Sequence, residues 1–215
     1  LPEFASYASS YLDVYNKFNA CSFQFSNKKN LFYTNIFLQH NPVQKKESKS
    51  LWEFELDAPV YKAPKVLVNH KDDSKEIILQ NKNKNLYLIS SKGELLWKVK
   101  LDEYIQSDII QVDRYKNKKL QYVFNTPNKV YMIDRKGENC DGFPLKLLYP
   151  ATSTLTVFDY EKNKDYRFLI ACENKKIYNY NADGEPVNGW EFEVMKAPIV
   201  ANPQHFLIKD KDYIV

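Results

Sequence analysis

Three of the chain's five glycines, Gly93, Gly137 and Gly184, stand 44 and 47 residues apart, and Tyr87, Tyr131 and Tyr178 keep the same two intervals. Around them one phrase is written three times: NLYLISSKGELLWKVKL at 85–101, KVYMIDRKGENCDGFPLKL at 129–147 and KIYNYNADGEPVNGWEFEV at 176–194. In the first copy Leu86, Leu88, Leu96, Val99 and Leu101 recur roughly every second position, the pattern of strands with one face on a core. Residues 90–93 break the run, and Gly93 supplies the positive φ that a tight turn needs. The upstream halves repeat as well. Val66-Leu67-Val68-Asn69 leads through a polar turn to Glu76-Ile77-Ile78-Leu79, Ile110-Gln111-Val112-Asp113 to Leu120-Gln121-Tyr122-Val123, and Thr156-Val157-Phe158-Asp159 to Arg167-Phe168-Leu169-Ile170. Each unit therefore predicts four strands, and Trp52, Trp97, Phe143 and Trp190 hold one equivalent place at the start of the outermost. A period in the forties carried by strands marks a propeller blade rather than a helical solenoid.

At these residues the chain resembles the quinoprotein-like β-propellers, the pyrroloquinoline-quinone-type repeat family, in which a strand, a Gly turn and a Trp recur in every blade. YLISSKGELLWKVK carries the likeness most fully, Phe143 replaces the Trp in the second copy, and the turns after Gly137 and Gly184 are longer. The second halves of the repeats are similar to an uncharacterised bacterial cell-envelope family of propeller-like proteins. That resemblance implies a periplasmic or outer-membrane-associated address, and no activity. The enzymes of the quinoprotein group use a quinone with calcium and a vicinal disulfide; no adjacent Cys pair occurs here.

The expected fold class is all-β: a partial β-propeller of four-stranded blades with units at 57–101, 102–147 and 148–194, a partial one at 195–215, and a helix and hairpin in front. Four-stranded blades close a ring at about four to eight copies. Three units and fragments predict a segment of a longer polypeptide, or a ring completed by another segment. Residues 1–50 form the preceding module. Phe4, Ala8, Tyr11, Leu12, Tyr15 and Phe18 recur at three to four, which suits an amphipathic helix after Pro2. Residues 22–39 read as a hairpin turning at 27–30, and residues 44–50 as a polar connection. The module either ends a preceding domain or packs against the propeller.

Charge and chemistry narrow the function. The net charge of +4 falls largely in turns, at 71–75, 116–119 and 162–164, where lysines keep strand-rich proteins soluble. Nucleic-acid binding would gather that charge on one face with aromatics between, whereas the Tyr and Phe residues here occupy strand positions suited to packing; no nucleic acid is expected. No apolar stretch approaches the roughly 20 residues of a membrane-spanning helix, so membrane association is expected only through a missing segment or a partner. Cys21, Cys140 and Cys172 lack zinc or disulfide spacing, and Cys172 reads as a small core residue.

Asp159, Glu161, Asn163 and Asp165 place oxygens at alternate loop positions, as a calcium loop does. The Gly and the closing bidentate Glu of such a loop are absent, and the expectation is a solvated turn with no metal and no cofactor. His40, His70 and His205 lie in three different contexts, His70 reading as a plain surface residue. No nucleophile elbow, metalloprotease helix or phosphate loop occurs. The reading is a non-catalytic scaffold with protein partners, binding through the inter-blade segments at 57–63, 102–108 and 149–154, since blades hold many loops at the ends of rigid strands. The alternatives are a carbohydrate- or peptide-binding propeller and a quinone-dependent oxidoreductase. The repeated aromatics are assigned to interblade packing.

Overall fold

Apolar strands separated by short polar turns have one economical way to bury both faces: fold each run into a meander and stack the meanders. A computed structural model of the chain, describing residues 18–40, 50–209 and 211–215, shows that arrangement. The first unit by contact, Leu1–Leu51, contributes one antiparallel hairpin, β1 (Phe18–Lys28) and β2 (Leu31–His40). Phe23 faces Ile36, Cys21 faces Leu38 and Asn27 faces Phe32, so one face of the hairpin is largely apolar. The expected helix at 2–18, apart from Phe18 at the start of β1, and most of the connection at 44–50 lie outside the described residues.

The second unit, Trp52–Val215, holds the repeats. The first sheet has the order β3 (Lys65–Val68), β4 (Lys75–Gln80), β5 (Asn85–Ile89), β6 (Leu95–Lys100). The second pairs β7 (Ile110–Val112), β8 (Gln121–Asn125), β9 (Lys129–Ile133) and β10 (Leu145–Lys146) in the same sequential order. The third comprises β11 (Thr156–Phe158), β12 (Arg167–Ala171) and β13 (Ile177–Asn181), and a last hairpin pairs β14 (His205–Ile208) with β15 (Lys211–Ile214). All neighbours within the sheets are antiparallel.

The third unit lacks the expected fourth ladder. Its outer segment starts as in the second blade, where the Cys140 amide donates to the Met132 carbonyl at 2.9 Å. The carbonyl that corresponds to Val130, opposite Leu145 in that blade, is instead taken by an indole. The Val187 amide donates to the Asn179 carbonyl at 3.0 Å, and Trp190 Nε1 donates to the Ile177 carbonyl at 2.8 Å. Residues 190–193 still alternate between half-buried and exposed, as do residues 51–56, whose Trp52, Phe54 and Leu56 cover Leu79, Tyr87 and Ile89. The central strands also depart from the expected single buried face: every residue of β5 and of β8 is buried. Stacked blades cover a central strand on both sides, so its polar residues must find partners within the ladder. Tyr122 and Phe124 of β8 point into a core shared with Leu67, Ile78, Leu86, Leu88 and Trp97 of the first blade. Val123, one residue out of phase, joins Phe168, Ile170 and Cys172 of the third. Each such side chain removed from water contributes about 1.5–3 kcal/mol.

The blades are joined at two levels. On the outside, the aromatic of one blade's last segment lies against the glycine turn of the next: a Cβ on Gly93 would fall 2.7 Å from the Trp52 ring, one on Gly137 3.0 Å from the Trp97 ring, and one on Gly184 3.6 Å from Phe143. Gly93 and Gly137 also have φ of +82° and +88°, so a side chain there meets both a ring and a strained backbone. The indoles are fixed further by Nε1–H donation, from Trp52 to the Ser91 carbonyl and from Trp97 to the Arg135 carbonyl, each at 2.9 Å. Phe143 has no such donor. There the Arg114 guanidinium lies 5.6 Å from the ring centre and bonds the Asp141 carbonyl at 2.6 Å and Asp183 at 2.9 Å.

On the inside, the first loops of neighbouring blades interlock. The Gln111 side chain brackets Val68, accepting its N–H at 2.9 Å and donating to its carbonyl at 2.7 Å. Asp113, whose side chain is 5% exposed, pairs with Lys164 at 2.5 Å and accepts the amides of Asn117 and Lys118 at 2.9 Å each. Burial pushes the Asp113 carboxyl up, but Lys164 and the two amides outweigh it and hold the group below the usual carboxylate range.

Two outcomes follow from these joints. Trp97→Ala should cost about 3–5 kcal/mol, whereas Trp97→Phe, which keeps most of the packing and loses the bond to Arg135, should cost nearer 1 kcal/mol for that bond; urea titration separates the two. Because the folded Asp113 is the stronger acid, its stabilisation is complete above about pH 4 and is lost as pH falls through its lower folded value. Asp113→Asn should therefore be destabilised by about 1–3 kcal/mol at pH 7, and the gap to wild type should close in unfolding curves taken near pH 2. A gap of constant size would remove the carboxylate from the account.

Candidate interaction face

In a sequential four-stranded meander, the inter-blade segment and the loop between the second and third strands lie at one end of the sheet. The segments at 57–63, 102–108 and 149–154 are held there by a repeated wiring. The amides of Tyr61, Gln106 and Thr152 donate to the carbonyls of Gln80, Asn125 and Ala171, the last residues of β4 and β8 and of β12, each at 2.8 Å. Gln80 and Asn125 then use their side chains to reach the next segment: Gln80 Oε1 accepts the Ile105 amide at 2.8 Å and Asn125 Oδ1 the Leu155 amide at 2.9 Å. One residue thus fixes the segment of its own blade through its backbone and the following one through its side chain. Ala171 has no amide to continue the relay. Thr152 Oγ1 instead donates to the Ile199 carbonyl at 2.5 Å, and the Thr154 amide to Asn202 at 3.0 Å.

Two of these segments open on an aspartate clasped by a lysine. Asp57 accepts from Tyr87 at 2.5 Å and Asn85 at 3.2 Å, pairs with Lys98 at 2.6 Å, and receives the Asn81 amide as well. Its carboxyl is held below the usual range, chiefly by Lys98 and then by Tyr87. Asp102 is held low by Lys129 at 2.5 Å. What the segments present outward is an aromatic pair among charges of both signs, Lys62 together with the carboxylates of Asp102 and Asp108, whose side chains are 73% and 69% exposed. Tyr61 and Tyr104 stack with centroids 4.0 Å apart and planes at 19°, the Lys84 ammonium lies 5.6 Å from the Tyr104 ring, and the Tyr104 hydroxyl donates to the Lys82 carbonyl at 2.8 Å. Lys62 reaches across to the carbonyls of Gln106 and Ser107 at 3.3 and 3.1 Å. Beside the stack, Glu103, Ile105 and Pro127 complete an open depression of about 380 Å³. Tyr149 is exposed on the third segment.

The residues singled out from the sequence divide between joints and turns. Trp52, Trp97 and Phe143 sit on Gly93, Gly137 and Gly184 of the following unit, while Trp190 stays against Leu169, Ala171 and Ile177 of its own. The loop at 159–165 spends its oxygens locally. Asp159 Oδ1 accepts the amides of Asn163 and Lys164 at 3.0 Å each, Asn163 Nδ2 donates to Glu161 at 2.9 Å, and Asp165 pairs with Lys116 at 2.5 Å. Among the described residues no three His, Cys, Asp or Glu side chains converge as metal ligands would. Cys140 and Cys172 are buried and unpaired, and burial pushes the Cys172 thiol up to about 11. His70, expected to be a plain surface residue, is part of a joint: its Nδ1 accepts the Leu120 amide at 3.1 Å. Asp57, Gln80, Asn125 and Arg114 escaped the sequence reading. The only available signal was that Gln80 and Asn125 are 45 residues apart and both end an apolar strand in an amide side chain.

No protein-family model and no curated protein sequence matches this chain. Among solved structures it is similar to BBS1N, crystallised in complex with ARL6DN, with a TM-score of 0.50 and 16% identity over 70% of this chain and 41% of that one. It is also similar to BamB from Moraxella catarrhalis, at a TM-score of 0.44 and 14% identity over 69% and 42% of the two chains. A protein of unknown function from Bacteroides caccae aligns at a TM-score of 0.31 and 9% identity, over 71% of this chain and 61% of that one. The chain spans less than half the length of BBS1N. At 16% identity the likeness to BBS1N is one of fold, and together with the sequential antiparallel sheets it makes this chain an all-β partial β-propeller.

Proposed function

We propose that the chain is a non-catalytic interaction module of the bacterial cell envelope that docks a protein partner on the face built by segments 57–63, 102–108 and 149–154. The observation that carries this reading is the relay through Gln80 and Asn125, which sets successive segments in one register and leaves the Tyr61–Tyr104 stack presented on a rigid support. Interface anchors are commonly Tyr, because two torsions fix a large amphipathic surface at small entropic cost. BBS1N, the propeller neighbour at a TM-score of 0.50, was crystallised with a protein partner, which supports a docking use of the fold. The envelope address rests on the sequence resemblance alone. The same stack favours one second reading, a peptide or carbohydrate ligand laid across the tyrosines.

A photo-crosslinking residue placed at position 61, 104 or 149 in the native host tests both. The expected result is a discrete adduct of one mass from all three positions and none from position 138, which lies in a turn at the opposite end of the second blade. A glycan-sized or peptide-sized mass increment would select the second reading. Equal labelling from 61 and 138, or no adduct at any position, would overturn the assignment of this face.

A further inference from the structure

A cleft of about 420 Å³ lies at the other end of the blades, in the joint between the first and the second. Its walls come from the loop at 69–75, the loop at 113–119 and the turn at 134–138. The cations Lys71, Lys119, Arg135 and Lys136 line it together with His70, against one lining carboxylate, Asp134. That carboxylate is already engaged by the amides of Lys136 and Glu138 at 2.8 and 3.0 Å. Arg135 is neutralised by Glu76, a buried residue that it contacts through Nη2, yet Arg135 Nε is buried and has no partner. The ammonium groups of Lys71, Lys119 and Lys136 make no ion pair among the described residues.

The repeat supplies an internal control. Loops 113–119 and 159–165 start on an aspartate that accepts the amide four residues on, and the shorter loop 69–75 starts at the equivalent place on Asn69, which accepts the Lys71 amide two residues on. That register makes His70 the counterpart of Arg114, Lys119 that of Asp165, and Lys136 that of Asp183. In the joint between the second and third blades the corresponding space is closed by the protein's own charges, Arg114 on Asp183 at 2.9 Å and Lys116 on Asp165 at 2.5 Å. In the joint between the first and second blades both acidic positions have become lysines, and the arginine has become a histidine. Asp72, in the same loop as His70, turns its carboxylate to the amide and hydroxyl of Ser74, at 3.1 and 2.7 Å. One joint is therefore self-neutralised and closed, while its equivalent is open and carries cations where the other carries carboxylates.

From this exchange of charge we infer that the cleft between the first two blades is a binding site for a small polyanion, a phosphate- or carboxylate-bearing molecule that takes the place of the missing Asp165 and Asp183 counterparts. The volume suits a small molecule, and Lys and Arg donors converging on one concavity are what such anions require. The cleft is distinct from the tyrosine face, so the inference stands without the proposed docking function. The surroundings of His70 agree with a cationic field: burial first, then Arg135, Lys71 and Lys119, lower its pKa against the opposing pull of Glu76.

Calorimetric titration of the chain with inorganic pyrophosphate, with citrate and with a hexaglutamate peptide tests the inference at low ionic strength, where screening is least. The His70 ring is followed by NMR in the same samples. One-site saturable binding of pyrophosphate or citrate is expected, the preferred probe distinguishing phosphate from carboxylate chemistry. His70 should then titrate at higher pH, since a nearby anion favours the imidazolium. Lys119→Asp combined with Lys136→Asp, which writes the closed joint's residues into the open one, should weaken binding at least about tenfold, with the Asp pair opposing the ligand where the Lys pair had attracted it. Should that variant fail to fold, Lys119→Gln with Lys136→Gln carries the same test at neutral charge. Absence of saturable binding, affinity unchanged in the folded variant, a His70 titration that ignores the ligand, or binding of hexaglutamate alone would each overturn the inference.

Discussion

The structure depends on an aromatic ring from one blade resting on a glycine of the next. Trp52 and Gly93, Trp97 and Gly137, and Phe143 and Gly184 are 41, 40 and 41 residues apart, so the contact always crosses a blade boundary. At Gly93 and Gly137 the glycine is required twice over, since its φ is positive and the ring occupies the volume where a Cβ would stand; at Gly184 the φ is positive and the close neighbour of a Cβ is the Gly142 carbonyl at 3.2 Å. A sheet in this fold cannot bury its second face within its own unit, and the ring on the turn sets the angle at which the neighbouring sheet arrives. The continuous burial of β5 and β8 follows from that stacking.

This dependence explains which parts of the architecture could be read beforehand. The period, the turns and the tryptophans are local features that recur because every boundary needs them, so the sheet order of the first two blades was legible. That the rings pack between blades was legible too; the residue each one meets was not, since nothing in WEFEL or WKVKL points to the glycine turn of the next unit. The unpaired run at 190–194 escaped for a related reason. It keeps the strand pattern of alternating residues, but Trp190 spends its indole N–H on Ile177 within its own blade, and pattern alone does not reveal where a side-chain donor goes. His70 was misread because its function in the fold, accepting the Leu120 amide, lies 50 residues away.

The candidate face was legible as three segments and opaque as a mechanism. Their position follows from connectivity, while their rigidity comes from Gln80 and Asn125, residues whose backbone and side chain serve different segments. Such a relay converts a loop, ordinarily the least stable part of a fold, into an extension of the sheet. Buried amides are costly unless fully bonded, and their use at the strand end is consistent with the carbonyl and amide groups that the segments would otherwise leave unsatisfied there.

Repetition also makes departures from the repeat interpretable. Where two joints solve the same packing problem, a difference between them cannot be attributed to the shared requirements of the fold. Arg114, Lys116, Asp165 and Asp183 show that the joint can be closed with balanced charge. His70, Lys119 and Lys136 at the matching places of the preceding joint leave a cavity and an excess of positive charge instead. Partly exposed charges at a few ångströms interact by about 1–4 kcal/mol depending on the effective dielectric, so clustering cations there lowers stability unless something external balances them. A closed alternative exists within the same molecule, and this places the open joint among the features that folding alone does not demand.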